Sequence, residues 1–382
     1  MSMDRDSALA YVHKLLAAML EKKGSDLYIT ADAAPSIKLN NQVVPLTSQT
    51  LNDSNTALLV RAIMNDRQLR QFEETMEGNF SLSLPGKARF RVSAFTQRGC
   101  VGMVIRHIPH HIPNLEELSL PPVLKDLAMT KRGLLLVVGA TSSGKSTTLA
   151  SLVDYRNRTA SGHIITIEDP IEFVHEHKKC LITQREIGVD TADFHTALKN
   201  TLRQAPDVIL LGEIRDRETM DYAIAYAETG HLCLSTLHAN SSTQAIDRII
   251  NFFPEERREQ LLMDLSFNLK AVVSQRLVQK AKGEGRLPAV EVMINSPLIA
   301  EHIQKGEVTA LKEVTSKSRE LGMQTFDQAL FDLIENKQIT VNEGFRHADS
   351  VNELRLNLKL KSRFAKDNDF FRGTDELAIE PI

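Results

Sequence analysis

The sequence predicts an α/β protein: a core with a parallel sheet flanked by helices, preceded by a smaller α+β domain. Three observations predict it. After residue 132, short apolar runs alternate with helical stretches; the runs are Gly133 to Gly139, Gly162 to Glu168, Val208 to Glu213 and His231 to His238. Parallel strands joined by crossover helices are written in this way. Before residue 108 the pattern is instead helix, short strands, helix and three longer strands. Between the two lie Pro109, Pro113, Pro121 and Pro122. Proline fixes φ and restricts the residue before it, so this stretch reads as extended linker.

In chain order, residues 7–22 place Leu9, Val12, Leu15, Leu16 and Met19 at helical spacing, with Gly24 as the stop. Asp26 to Thr30, Ser36 to Leu39 and Val43-Val44 form a small meander that turns at Asn40-Asn41. A single helix is expected over 54–74, with Leu58, Ala62, Ile63 and Leu69 on one face. Phe80 to Leu84, Ala88 to Thr96 and Cys100 to His107 read as strands, with turns at Pro85-Gly86 and Arg98-Gly99. The expected boundaries are an N-terminal domain at 1–107, a linker at 108–122, a core with C-terminal helices at 123–364, and a charged tail at 365–382. The region 243–358 is expected to be mainly helical.

Composition narrows the function classes. With 42% apolar and 25% charged residues over 382 positions, the chain is an ordinary globular sequence with enough length for a large core. The net charge of −3 and the lack of tryptophan argue against a nucleic-acid groove with a stacking platform. No apolar run approaches membrane-span length, and the start shows no signal-peptide pattern, so a cytoplasmic protein is expected. Cys100, Cys180 and Cys233 are widely spaced and form no CxxC pair, which points to reduced thiols rather than a disulfide or zinc site.

The sharpest motif is Gly139, Ala140, Thr141, Ser142, Ser143, Gly144, Lys145, Ser146, which fits G-x-x-x-x-G-K-[ST] and is followed by Thr147 at a helix start. Chance supplies such a match in roughly one in a hundred chains of this length, and the strand-loop-helix context makes it rarer still. Glycines let the backbone wrap a phosphate, successive N–H groups face it, and the helix terminus adds partial positive charge. Lys145 then reaches the β- and γ-phosphates of ATP, and Ser146 ligates Mg²⁺. Hydrolysis also needs carboxylates. Val208 to Glu213 ends a buried-type strand on a carboxylate, so Glu213 suits a partner to magnesium-bound water. Ile164 to Glu172 ends in Glu168, Asp169 and Glu172, and spacing does not choose a general base among them. His231 and His238 stand seven apart and would face opposite sides of a regular strand, which argues against a shared metal.

These motifs in this order resemble the secretion ATPase superfamily, the hexameric motors of type II secretion, type IV pili and conjugation-type transport. The likeness rests on the phosphate loop, the acidic box Ile165 to Phe173, the strand Val208 to Asp216 and the histidine box Thr229 to His238. It continues through Gln184-Arg-Glu, Ser274-Gln-Arg-Leu, Gly322 to Asp327, Gly24 to Leu27 and Ala88 to Val92. The resemblance implies a RecA-like P-loop core with a PAS-like N-terminal domain, six subunits to a ring, and ATP with Mg²⁺ as ligands. It implies Glu172 as the residue that polarises the attacking water and Glu213 as the carboxylate near Mg²⁺. It implies catalytic roles for His231 and His238, and Arg89, Arg91 and Arg106 as arginines that reach a neighbouring subunit's nucleotide.

Assembly-type relatives carry a four-cysteine zinc module, and this chain has Cys233 alone after residue 200, so it resembles the shorter retraction branch. The principal retraction ATPases read Ala-Ile-Arg-Asn-Leu-Ile-Arg-Glu where this chain reads Leu298-Ile-Ala-Glu-His-Ile-Gln-Lys305. Asp349 to Leu356 and the tail resemble the accessory members instead. Implied partners are therefore copies of itself, the principal retraction ATPase and the inner-membrane pilus platform protein, with no nucleic acid.

Overall fold

The computed structural model describes residues 4–39, 42–84, 88–108, 111–283 and 285–364. The predicted turns at Asn40-Asn41 and Pro85-Gly86, and the tail at 365–382, lie outside them. The chain forms two compact units, one of residues up to 111 with 169–174 and 186–190, the other of the remainder.

In the first unit, α1 (Arg5–Glu21) opens where Asp4 accepts a hydrogen bond from Ser7 N at 2.8 Å and buries Ala8, Val12, Leu15, Leu16 and Met19. Then come β1 (Asp26–Ile29), β2 (Ser36–Leu39), β3 (Gln42–Pro45), α2 (Asp53–Ala62), α3 (Asp66–Thr75), β4 (Glu77–Leu84), β5 (Ala88–Gln97) and β6 (Cys100–Ile108). The sheet order is β3-β2-β1-β6-β5-β4, antiparallel throughout its registered pairs. Alternation along β5 sends Ala88, Phe90, Val92 and Ala94 into the core. The single helix expected over 54–74 is two helices. The first stops at Ala62, and Asn65 starts the next, because its side chain accepts from Gln68 N at 2.9 Å while Gln68 Oε1 accepts from Asn65 N at 3.0 Å.

The second unit begins within the proline-rich stretch. Leu115 and Leu120 are buried in its core, and Pro122 precedes α4 (Val123–Ala128). Then follow β7 (Gly133–Val138), α5 (Lys145–Thr159), β8 (Gly162–Glu168), β9 (Cys180–Glu186), α6 (Phe194–Thr201), β10 (Val208–Leu211), α7 (Arg217–Glu228), β11 (Leu232–Leu237), α8 (Ser242–Asn251) and α9 (Glu255–Asn268). β12 (Leu269–Gln279) and β13 (Arg286–Ile294) pair antiparallel, and α10 (Pro297–Lys305), α11 (Leu311–Lys317), α12 (Phe326–Glu335), α13 (Val341–His347) and α14 (Val351–Lys361) complete the unit. The mainly helical expectation for 243–358 thus missed two long strands.

The sheet order is β13-β12-β7-β11-β10-β8-β9. The pairs from β12 through β7, β11 and β10 to β8 are parallel. Every residue of β7, β10 and β11 is buried, as expected of strands covered on both faces. This is the α/β architecture that the alternation of elements predicts. A separate cluster around Phe326, Leu330, Ile334, Phe345, Leu354 and Leu358 packs the last helices against Val278 and Ala289 of β12 and β13.

Candidate nucleotide site

The phosphate loop lies where theory puts a ligand in a parallel sheet, beyond the carboxyl ends of the strands. β7 runs into Gly139, whose φ of 155° and whose neighbours leave no room for a side chain: a Cβ there would stand 2.6 Å from the Gln275 carbonyl oxygen. Gly144, at φ 91°, closes the loop, and a Cβ there would stand 2.7 Å from Gln275 Nε2. Ser142 also adopts positive φ, at 63°. These turns make the backbone concave, as an anion nest requires. α5 starts at Lys145 with no side-chain cap, so its first N–H groups are left to the loop's concavity.

Lys145 is buried, and its Nζ donates to Gly139 O and Ala140 O at 2.9 Å each. Ser143 is 6% exposed, and its Oγ is buried without a hydrogen-bond partner. A glycine-lined cradle, an unsatisfied hydroxyl and a buried ammonium fit a polyphosphate. Unsatisfied buried polar atoms are costly, and an oxygen-rich anion would satisfy them.

Glu213 stands just past β10. Its Oε1 lies 3.0 Å from His238 Nε2, and its Oε2 accepts from Arg215 Nε at 2.9 Å. His238 stands just past β11, two strands from the phosphate loop's far neighbour β12 and directly beside β7 in the sheet. Burial holds the His238 ring below the usual histidine range, reinforced by the Lys145 charge and opposed by Glu213. An open cleft of about 520 Å³ lies beside His238, Asn240 and Arg248.

The structure does not bring His231 to this site. His231 precedes β11, its carbonyl accepts from Gly133 N at 3.0 Å, and Gly133 is the first residue of β7. In a parallel pair this is the amino end of the strands, opposite the phosphate loop and roughly 20 Å from it at the usual rise per residue. Its Nδ1 instead lies 3.2 Å from Tyr226 O and 3.1 Å from Thr229 Oγ1. Thr166 Oγ1 donates to Glu168 Oε1 at 2.6 Å, and Gln184 Nε2 donates to the same oxygen at 3.2 Å.

Asp169 and Glu172 belong to the first unit. There Arg91 Nη1 lies 3.9 Å from Glu172 Oε1, Arg89 pairs with the buried Glu186, and Arg106 Nε donates to Asp26 Oδ1 at 2.8 Å. The three thiols are free, with Cys180 and Cys233 buried. No group of three or more potential metal-ligating side chains occurs among the described residues. No helix among them is long and apolar enough to cross a membrane.

The fold and the loop define a P-loop nucleotide-binding protein. Residues 2–343 match the family model described as Type II/IV secretion system protein, and the chain belongs to that family. It is 56% identical over 355 residues to the type IV pilus ATPase PilU of Pseudomonas aeruginosa, an alignment that covers 93% of each chain. It is 44% identical to the type IV pilus retraction ATPase PilT of the same organism over 85% of this chain and 94% of that one. The crystal structure of the pilus retraction motor PilT with bound ADP superposes with a TM-score of 0.84 and 37% identity, covering 90% of this chain and 99% of that chain.

Proposed function

We propose that this chain is the ATP-hydrolysing subunit of a type IV pilus retraction motor, of the accessory PilU kind. One observation carries the reading: a buried Lys145 at the base of a glycine-turned loop, with Glu213 and His238 presented from the tips of the adjoining strands. The likeness to PilU and PilT along nearly the whole chain supports it.

In this reading Gly139, Ala140, Thr141, Ser142, Ser143, Gly144, Lys145, Ser146 and Thr147 cradle the phosphates of ATP. Ser146, and Glu213 through water, would hold Mg²⁺, which neutralises phosphate charge as the γ-phosphoryl group leaves. His238, whose Nε2 lies 3.0 Å from Glu213 Oε1, orients that carboxylate. Glu172 aligns the attacking water. Arg89, Arg91 and Arg106 are the trans-acting candidates, and of these Arg89 is already engaged by Glu186. Six copies form the ring, in the cytoplasm at the inner-membrane base of the pilus. PilT and the platform protein are its partners, and nucleic acid is not.

The test has two arms. Phosphate release by the purified chain should drop at least a hundredfold in Lys145→Ala and in Glu172→Ala, since each removes a group required for positioning or charge neutralisation. Turnover near the wild-type level in either variant would contradict the assignment. In cells, a strain that lacks PilT but expresses this chain should fail to retract pili. Normal retraction there would overturn the accessory role.

A further inference from the structure

Beside the phosphate loop runs β12, a strand to which the proposed mechanism gives no part. β12 pairs in parallel with β7 up to Ser274 opposite Val138, so Gln275 falls alongside Gly139 at the start of the loop. Gln275 is buried, and its Oε1 accepts from Thr148 Oγ1 at 2.7 Å, in a contact closed to water. Thr148 sits in the first turn of α5, and its N–H donates to Gly144 O at 3.0 Å. Because Oε1 is committed to the threonine hydroxyl, the amide Nε2 faces Gly144, and it fills the space that a side chain at that position would need. The backbone carbonyl of Gln275 does the same at Gly139. One residue therefore lies against both glycines that turn the loop.

The next residue holds the strand from its other face. Successive side chains of a strand point to opposite sides, so Arg276 faces away from the loop. Its Nη1 donates to His347 O at 2.7 Å, its Nη2 lies 2.7 Å from Asp349 Oδ1 and 3.2 Å from Asn240 O, and its guanidinium stands 3.9 Å from the Phe326 ring centroid. Asn240 is two residues past His238. Strand β12 is thus tied on one side to the phosphate loop and on the other to α12, the α13–α14 connection and the segment that carries His238.

We propose that Gln275 is a positioning residue of the nucleotide site: with Thr148 as its anchor and Arg276 holding its strand, it fixes the curvature of the phosphate loop. The proposal rests on the nucleotide-site reading. It acts on the part of the loop that meets the phosphates shared by ATP and ADP. A loosened loop therefore weakens both ligands alike, raising KM for ATP and the Kd for ADP by one factor, with kcat changed less.

The test uses the full-length chain with Gln275→Met, which keeps length but loses the amide, Thr148→Val, which keeps shape but loses the hydroxyl, the double variant, and Thr148→Ser, which restores the hydroxyl. ADP titration and steady-state hydrolysis are read together with a urea midpoint. Each single variant should weaken ADP and raise KM by roughly five- to tenfold, the worth of one buried hydrogen bond. The double variant should lose little more than either single one, and Thr148→Ser should return to within twofold of wild type. Unchanged ADP affinity in folded Thr148→Val, or full additivity in the double variant, overturns the proposal even if stability falls. Should Gln275→Met fail to fold, Thr148→Val against Thr148→Ser still decides. A wild-type chain that binds no ADP overturns the nucleotide reading as well, and that result is visible before any variant is made.

Discussion

At the scale of single residues, burial sorts the ionisable groups more sharply than sequence position does. His175 is nearly buried, its Nδ1 has no hydrogen-bond partner, and its backbone N–H donates to Gln184 Oε1 at 2.8 Å. Burial, with a smaller push from Lys178 and against a pull from Asp154, lowers its pKa from the usual 6.5 to about 4. The unfolded chain therefore takes up a proton near pH 6.5 that the folded chain refuses until near pH 4. Stability from this group is whole above that window and is lost as pH falls through it, by roughly 3 kcal/mol in total. Urea midpoints measured from pH 7 to pH 4 should fall more steeply for the wild type than for His175→Gln; parallel slopes would show that His175 takes no part. The histidines of the site were less legible in sequence. The resemblance offered His231 and His238 alike, and only strand direction separates them. One precedes β11 and the other follows it, which places them at opposite ends of the strand. Glu213 and the phosphate loop were readable because both end an apolar run. Thr148 and Gln275 were not, since a hydroxyl and an amide meet across 127 positions and leave no local pattern.

At the scale of elements, the errors of sequence reading have identifiable physical causes. The helix expected over 54–74 breaks because Asn65 competes for the backbone with a capping box, while Ile63 and Met64 bury their side chains in the break. Periodicity alone cannot see that competition. Asn65→Ala should cost about 1 kcal/mol of stability, the ordinary worth of an N-cap, with Asn65→Asp or Asn65→Ser costing less. Denaturant midpoints of the full chain check it, and an Ala variant as stable as the wild type would mean that tertiary packing alone sets the break. β12 and β13 were missed for a different reason. β12, with Lys270, Gln275, Arg276 and Gln279 set among apolar residues, lacks strict alternation, because it lies between β13 and β7 and is buried along most of its length. A run of that kind does not distinguish strand from helix by period. The strands beside the phosphate loop were legible because β7 is wholly apolar, β11 is apolar but for Ser235 and Thr236, and both are bounded by glycine or histidine.

At the scale of the whole molecule, three apolar clusters are built among the described residues, and one of them holds the strands that carry the phosphate loop. The loop's cradle exists only while β7, β11 and β12 are paired, since Gly139 and Gly144 are shaped by their contact with Gln275 across the sheet. A ligand that needs the cradle therefore binds the folded state and not the unfolded one, and its binding energy adds to folding stability by mass action. At a hundredfold excess over its dissociation constant, ADP should stabilise the unit that contains the loop by about 2.7 kcal/mol. For a transition of that size the melting temperature should rise by roughly 5–10 °C. Lys145→Ala should abolish most of the shift, because it removes the buried ammonium that contacts the loop at Gly139 and Ala140, while leaving the unliganded melting temperature within a few degrees. Calorimetry of both chains with and without ADP makes the comparison. An equal rise in wild type and Lys145→Ala would place the ligand elsewhere on the molecule. No rise in either would mean that the folded sheet does not build a phosphate site, whatever its sequence resembles.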